Sequence, residues 1–321
     1  MPGWRRLRRG RGFSYVDEHG RPLDDAAVAR VRELVIPPAW TEVWICPVVN
    51  GHLQAVGTDV AGRRQYLYHP DWTAKRDAEK YAHMEDFARA LIRRRARIRR
   101  DLAGDELDLT QAAAAVFGLL DLGMFRIGSD QYVDENGGHG LTTLEKSHVR
   151  VRDDAVDFAF VAKSGQEVAV TVRDAPVAAV LKRLRARRSG GDRLFAYRAG
   201  GRWCALAAEQ VNEYVRESLG GDFTAKDFRT WRANVVAAWS LSRADASTPT
   251  ARKRAVADAM RTVAEHLGNT AAVARASYVD PRIVDLFHDG VTVTAGVRGV
   301  RPGAPVNRGL ERAVVRLLRR A

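Results

Sequence analysis

Glu265-His-Leu-Gly-Asn-Thr-Ala-Ala-Val-Ala-Arg-Ala-Ser-Tyr-Val279 is the stretch around which the chain is organised. A helical apolar pattern runs from Thr250 to Leu267 and stops at Gly268, a residue suited to the left-handed conformation that closes helices. Thr270 then caps a short second helix carrying Tyr278, which Asp280-Pro281 limits. Asn269 precedes Tyr278 by nine positions. A tyrosine phenol has a pKa of about 10 and is a poor nucleophile at neutral pH. A nucleophilic role for Tyr278 therefore requires positive charge gathered around a phosphate, and arginine abounds elsewhere in the chain.

With 321 residues the chain has room for two domains, each with its own core. Hydrophobic residues make up 46% and charged residues 28%, the balance of a soluble globular protein. Lys+Arg number 52 against 39 Asp+Glu, a net charge of +13 that favours a polyanionic partner, most often nucleic acid. Arginine-rich coding produces the same number, so charge alone does not decide. Cys46 and Cys204 are too few and too far apart for a disulfide framework or a zinc site, which fits a reducing cytoplasm. No apolar run is long enough to span a bilayer. The start, Met1-Pro-Gly-Trp-Arg-Arg-Leu-Arg-Arg9, lacks the apolar core of a secretory signal. Residues 1–35 read as a basic arm, either touching phosphates or solvated.

Ile36-Pro-Pro-Ala-Trp40 is an extended entry to Val43–Val49, Asn50-Gly51 and His52–Val56, where Asn-Gly between apolar runs signals a hairpin. A second turn, Asp59–Arg63, leads into Arg64-Gln-Tyr-Leu-Tyr-His69. Strand alternation puts Arg64, Tyr66 and Tyr68 on one face, and Gln65 and Leu67 on the other. That face suits a DNA groove, and equally an ordinary aromatic sheet. Residues 36–75 are the core of a small β-rich domain. Thr73 to Arg100 reads as one connecting helix ending in six arginines within eight positions, Arg93 to Arg100, either a phosphate stripe or a solvated end favoured by the helix dipole.

Leu109 to Gly123 is a small apolar helix delivering Met124-Phe-Arg-Ile-Gly-Ser-Asp-Gln-Tyr132, where Gly128 breaks the backbone just after Arg126. A flexible loop, Asn136–Gly140, and a single turn at Thr142–Glu145 follow. Alternating runs His148–Arg152, Val156–Val161 and Glu167–Val172 predict strands, placing Lys163 at a hairpin tip. That stretch alone does not distinguish a lysine entering a groove from an ordinary turn lysine. From Ala175 the pattern is mostly helical, with Val177–Arg187, Ala205–Leu219, Phe228–Trp239 (opened by Thr224-Ala-Lys-Asp227 and carrying Arg229) and Thr250–Leu267. Residues 289–305 read as irregular and Leu310–Arg320 as a short basic helix. The fold class is α+β: a small β-rich N-terminal domain, then a larger, mostly helical domain containing a short β-sheet and hairpin.

In order, Arg126, Lys163, Arg229, Asn269 and Tyr278 resemble the Arg-Lys-Arg-His-Tyr set of the type IB DNA topoisomerases, in their compact poxvirus-like and bacterial branch. Arg63-Arg-Gln-Tyr-Leu-Tyr68 is similar to that branch's N-domain DNA-contact signature. Phe125-Arg-Ile-Gly128 with Tyr132, Val161-Ala-Lys-Ser-Gly165, Phe228-Arg-Thr-Trp231 and Glu265–Tyr278 are similar to its four catalytic segments. The resemblance spans about Ile36 to Pro281.

The resemblance implies a catalytic domain over residues 76–288 (76–100 being the connecting helix) and a C-terminal extension over 289–321. It implies Tyr278 as nucleophile, Lys163 as general acid, and Arg126, Arg229 and Asn269 as phosphate ligands, with DNA contacts from Arg63, Arg64, Gln65, Tyr66, Tyr68 and Tyr132. The expected reaction relaxes supercoils of both signs through a 3′-phosphotyrosyl link, with no cofactor, metal or ATP. The expected partner is double-stranded DNA, clamped by a monomer in the cytoplasm at the nucleoid, with no membrane. The sequence departs from the family at Asn269, where histidine is common. Asparagine donates a neutral hydrogen bond but carries no charge. A tyrosine recombinase shares the chemistry, but the β-rich Val43–His69 segment does not match its usual helical N-terminal module. A non-catalytic basic DNA-binding protein would leave the five ordered motifs without a purpose.

Overall fold

The computed structural model describes residues 2–130, 137–294 and 307–320. Tyr132 and most of the segment expected to be irregular lie outside the described residues. The chain divides into two compact units, residues 1–82 and 83–321.

The first unit is one antiparallel sheet in the order β2-β1-β3-β4-β5, from β1 (Trp4–Arg9), β2 (Gly12–Val16), β3 (Thr41–Ile45), β4 (Leu53–Thr58) and β5 (Arg64–Tyr68). Helix α1 (Asp25–Glu33) is capped by the Asp24 carboxylate, which accepts from the Ala27 N–H. Where a basic arm was expected, residues 4–16 thus form a hairpin inside the sheet. Its arginines conceal the strand pattern because Arg6 serves the fold. The Arg6 guanidinium donates to the carbonyls of Ile36 (3.2 Å), Pro37 (3.0 Å) and Trp40 (2.6 Å) and stacks 4.2 Å from the Phe13 ring centroid. Trp4 and Tyr15 pack against a core of Val31, Val43, Ile45 and Ala55.

The β3–β4 connection, residues 46–52, is wider than the two-residue Asn50-Gly51 turn expected. Pro47 has no N–H to continue a ladder. The loop carbonyls are met by side chains instead: Arg30 donates to Cys46, Pro47 and Val48, and Gln54 Nε2 donates to Val49 (2.9 Å) and Gly51 (2.7 Å).

Helix α2 (Pro70–Leu102) leads into the second unit. Helix α3 (Leu109–Leu120) is buried over almost its whole length, Ala112–Phe117 being sealed on all sides, as expected of a helix apolar all round. Around it lie the antiparallel sheet β6 (Val149–Arg152), β7 (Ala155–Val161) and β8 (Glu167–Arg173), then α4 (Ala175–Ala186). Next comes a hairpin, β9 (Ala196–Ala199) and β10 (Arg202–Ala205), where the helical reading had no strands. Its turn is Gly200-Gly201, both at positive φ, the turn chemistry that a two-residue hairpin uses. The chain continues as α5 (Ala208–Leu219), α6 (Ala225–Leu241), α7 (Pro249–Leu267), α8 (Ala271–Ser277), α9 (Pro281–His288) and α10 (Arg308–Leu318). Phe87, Phe117 and Phe228 meet edge to face at 4.9–5.0 Å and join α2, α3 and α6.

Much of the arginine run on α2 serves the fold. Arg95 turns inward and donates both to Asp121 (2.8 Å) and to Glu311 on α10 (2.8 Å). Arg99 binds the Asp174 carboxylate with two hydrogen bonds of 2.6 Å, and Arg97 lies 4.0 Å from Asp101. Helix α10 buries Leu310, Val314 and Leu318 in the main core, so residues 308–318 belong to the domain rather than to an appendage. Among the described residues no helix is long and apolar enough to cross a membrane.

Candidate active site

Helix α6 opens with a capping box in which the Asp227 carboxylate accepts from the Thr224 N–H at 2.7 Å. That start puts Arg229 in the first turn, facing inward and only 4% exposed. Its Nη1 donates to the Met124 carbonyl at 2.6 Å and its Nη2 to the Leu267 carbonyl at 2.7 Å. The Arg229 Nε–H is buried with no partner. Burial lowers the Arg229 pKa to about 10; the nearby Arg126 charge adds to the fall and Tyr278 opposes it. A buried cation held by two carbonyls, with one donor still unmet, has the chemistry to receive an anion.

Gly268, at φ +61, ends α7 as the sequence predicts, and its N–H returns to the Ala264 and Glu265 carbonyls. The Thr270 hydroxyl accepts from the Val273 N–H and starts α8. Tyr278 is the last residue of that turn, half-buried, with the Arg229 guanidinium 5.6 Å from its ring centroid. Its backbone is anchored from α6 as well: the Asp280 N–H donates to Asn234 Oδ1 at 2.7 Å, and Asn234 Nδ2 donates to the Thr230 carbonyl. Arg229 and Asn234, five residues apart on one helix, thus position the ring and the chain of Tyr278. Burial raises the phenol pKa, but the charge and hydrogen bond of Arg229, the charge of Arg126 and the Asn269 amide outweigh it, so the net shift is below the ordinary value.

Arg126 reaches the same place from the other side. Its Nη2 donates to Asn269 Oδ1 at 2.9 Å and lies 3.4 Å from the Gly268 carbonyl. The Asn269 Nδ2 donor is buried and makes no hydrogen bond of full geometry. The Arg126 backbone is held because Leu141 N donates to the Arg126 carbonyl and Thr142 N to that of Ile127, both at 2.8 Å. Only glycines permit that approach: a Cβ at Gly140 would sit 2.4 Å from the Gly128 nitrogen.

Lys163 lies where the strand pattern puts it, exposed at the β7–β8 tip in a single turn, Lys163–Gly165. The segment that braces Arg126 also braces the hairpin. His139 N donates to the Val161 carbonyl at 2.8 Å, and a Cβ at Gly138 would sit 2.9 Å from the Ala162 oxygen. Beside these groups is a cavity of about 210 Å³, lined by Arg126, His139, Phe160, Gln166, Glu265 and Gly268 among others.

His266 turns away from Tyr278. Its Nε2 lies 3.2 Å from the Leu122 carbonyl and 3.4 Å from Arg232 Nε. Burial, then the Arg232 charge, lowers its pKa to about 4, so it is neutral at pH 7. Behind Arg229, α6 is tied to α10, because Trp231 Nε1 donates to Glu311 Oε1 at 2.9 Å, the carboxylate that also receives Arg95. Glu311 is 1% exposed. Asn234, Glu311 and Arg95 escaped the motif reading, yet two of them carry a signal: Arg95 interrupts the apolar series Leu91, Ile98, Leu102, and Glu311 the series Leu310, Val314, Leu318.

In the first unit, Arg64, Tyr66 and Tyr68 share the exposed face of β5, with the two tyrosine rings 6.3 Å apart. Arg63 is exposed and paired with Asp59 at 2.9 Å. Gln65 points to the opposite face, where its amide donates to Asp59 at 2.9 Å. Among the described residues no group of three His, Cys, Asp or Glu side chains is placed to hold a metal ion.

Two family models match the chain. Residues 69–285 match the catalytic core of eukaryotic DNA topoisomerase I, and residues 12–59 match the N-terminal domain of bacterial DNA topoisomerase IB. The second match begins well ahead of Ile36, in keeping with β2 and α1 belonging to the N-terminal unit. DNA topoisomerase 1B of Acanthamoeba polyphaga mimivirus is 29% identical over 299 residues, covering 90% of this chain and 88% of the viral protein. DNA topoisomerase 1B of vaccinia virus (strain Copenhagen) is 25% identical over 240 residues, covering 73% of this chain and 72% of its own.

Proposed function

The chain belongs to the type IB DNA topoisomerase family, and from that premise we propose that it relaxes positive and negative supercoils through a 3′-phosphotyrosyl intermediate formed by Tyr278. The observation that carries this reading is the convergence on the phenol of Arg229, Arg126 and Asn269, with unmet donors on Arg229 Nε and Asn269 Nδ2. Those donors await oxygens that a DNA phosphate would bring.

In the proposed step Tyr278 Oη gives its proton to solvent water and attacks a backbone phosphorus as the P–O5′ bond breaks. Negative charge grows on the nonbridging oxygens. Arg126 and Arg229 stabilise it with charge-assisted hydrogen bonds, and Asn269 adds a neutral donor. The lowered phenol pKa enlarges the fraction of tyrosinate available for attack. Lys163 protonates the departing 5′-oxygen. The link conserves the phosphodiester's free energy, so the 5′-hydroxyl reseals the strand without ATP, and the guanidinium groups take the charge-neutralising role without a metal ion. Strand rotation during the link's lifetime releases supercoils.

Arg63, Arg64, Gln65, Tyr66, Tyr68 and Tyr132 are proposed DNA contacts, with Arg64, Tyr66 and Tyr68 the most direct because they share an exposed face. Residues 36–75 would form the core of the DNA-clamp domain, and 76–288, completed by the helix at 308–318, the catalytic domain. The enzyme would act as a monomer clamping the duplex, in the cytoplasm at the nucleoid. Supercoiled plasmid incubated with the protein in excess EDTA and without ATP tests the reading. Relaxation of both signs of supercoil, lost in Tyr278→Phe, is expected; relaxation that survives in the variant refutes it.

A further inference from the structure

Gln166 follows Lys163 by three residues on the same hairpin and takes no part in the chemistry just described. Its side chain is exposed, so burial in the core does not explain its position. That position is specific. A Cβ built on Gly268 would sit 2.5 Å from Gln166 Oε1 and 2.9 Å from Nε2, so the amide lies directly on the Gly268 Cα. The other side of the same turn receives Arg126 Nη2, at the Gly268 carbonyl and at Asn269 Oδ1. Gly268 is therefore the junction where the hairpin meets the Arg126–Asn269 pair. Its lack of a side chain serves this contact as well as its left-handed backbone, at φ +61.

The backbone makes the contact a lever on Lys163. Ala162 N donates to the Gln166 carbonyl at 2.7 Å, closing the tip into one small turn with Gly165 at φ +73. The root of the hairpin is fixed at Val161–Ala162 by His139 and Gly138. The tip beyond that root meets the Asn269 turn through Gln166, and Lys163 lies between root and latch.

We propose that Gln166 is a positioning residue that latches the hairpin onto the Gly268–Asn269 turn and so sets where Lys163 delivers its proton. This rests on the reading of Lys163 as general acid. The latch governs departure of the 5′-oxygen, while attack by Tyr278 and charge stabilisation by the arginines do not depend on it.

The test is single-turnover cleavage of a duplex oligonucleotide carrying either the ordinary 5′-oxygen or a 5′-bridging sulfur at the scissile phosphodiester. A thiolate leaves without taking a proton, so proton delivery drops out of the rate. Gln166→Ala should cleave the oxygen substrate roughly ten- to 100-fold more slowly than wild type, the loss expected of a misplaced catalytic group. It should cleave the sulfur substrate at the wild-type rate and bind DNA with unchanged affinity. Equal slowing on both substrates, or wild-type cleavage of the oxygen substrate, overturns the latch. Lys163→Ala is the reference. Its rescue by sulfur shows that Lys163 governs the leaving group, so that a failure of Gln166→Ala then counts against the latch alone. A Lys163→Ala enzyme that sulfur does not rescue overturns the general-acid reading, and the latch with it.

Discussion

Arg229 and Lys163 are both cations of the site, and they are held in opposite ways. Arg229 is buried, bound by two carbonyls on separate segments, and backed through α6 by the Trp231–Glu311–Arg95 network. Lys163 stands exposed on a hairpin tip. The contrast follows the chemistry proposed for each. A receptor for transition-state charge gains from dipoles and charges fixed in advance, because no reorganisation is then needed at the moment of reaction. A proton donor has to meet a leaving oxygen that arrives with the DNA, and a tip braced at its root but open to solvent can do so.

The largest expected effect lies on the exposed side. Lys163→Ala should slow cleavage by about 10²–10⁴-fold, the usual contribution of a general acid, while leaving the urea midpoint nearly unchanged. A large loss of stability would mean that the tip is part of the scaffold. On the buried side, Arg229→Ala should lower the single-turnover cleavage rate by about 10²–10³-fold, as for loss of one oxyanion donor. A rate within a few-fold of wild type would remove Arg229 from the charge receptor.

The scaffold behind Arg229 is tested by stability instead. Arg95→Ala removes the guanidinium that Asp121 and Glu311 share and should cost about 3–5 kcal/mol in urea unfolding, whereas Arg97→Ala, from an exposed pair, should cost under about 1 kcal/mol. Equal costs would contradict the division of the arginine run into inward and outward members. A smaller effect concerns His266. Its folded pKa of about 4 lies below the unfolded value near 6.5, so the unfolded chain binds the proton more readily. Its contribution is fully present above about pH 6.5 and declines as pH falls towards 4, by up to about 3 kcal/mol. His266→Gln should flatten that part of the stability–pH curve; an unchanged slope would show that other groups set it.

The segments of the candidate site are legible because each pairs a chemical residue with a backbone signal: Gly128 after Arg126, Gly165 after Lys163, Thr224 before Arg229, Gly268 before Asn269. The alternation in β5 separates Arg64, Tyr66 and Tyr68 from Gln65 and Leu67, as the strand does, and the structure adds that the first face is the exposed one. Two of the features that escape a sequence reading share one cause, charged residues doing structural work. Arg6 obscured a strand, and Glu311 hid the core-facing side of what reads as a short basic helix. Residues 196–205 read as part of a mostly helical region because their strands are short, although Gly200-Gly201 marks the turn. Contacts such as Asn234 with the Asp280 N–H join positions far apart in sequence, and no local pattern announces them.

The central claim, that Tyr278 becomes covalently bound to DNA, is tested most directly by trapping. Protein mixed with a duplex labelled on the strand to be cut is denatured with detergent and resolved on a gel. Wild type should carry label linked to the 3′ side of the break and release a strand with a free 5′-hydroxyl, while Tyr278→Phe, folded and still binding DNA, should carry none. Label joined to the Tyr278→Phe protein, or relaxation by wild type with no adduct under trapping conditions, would contradict the account.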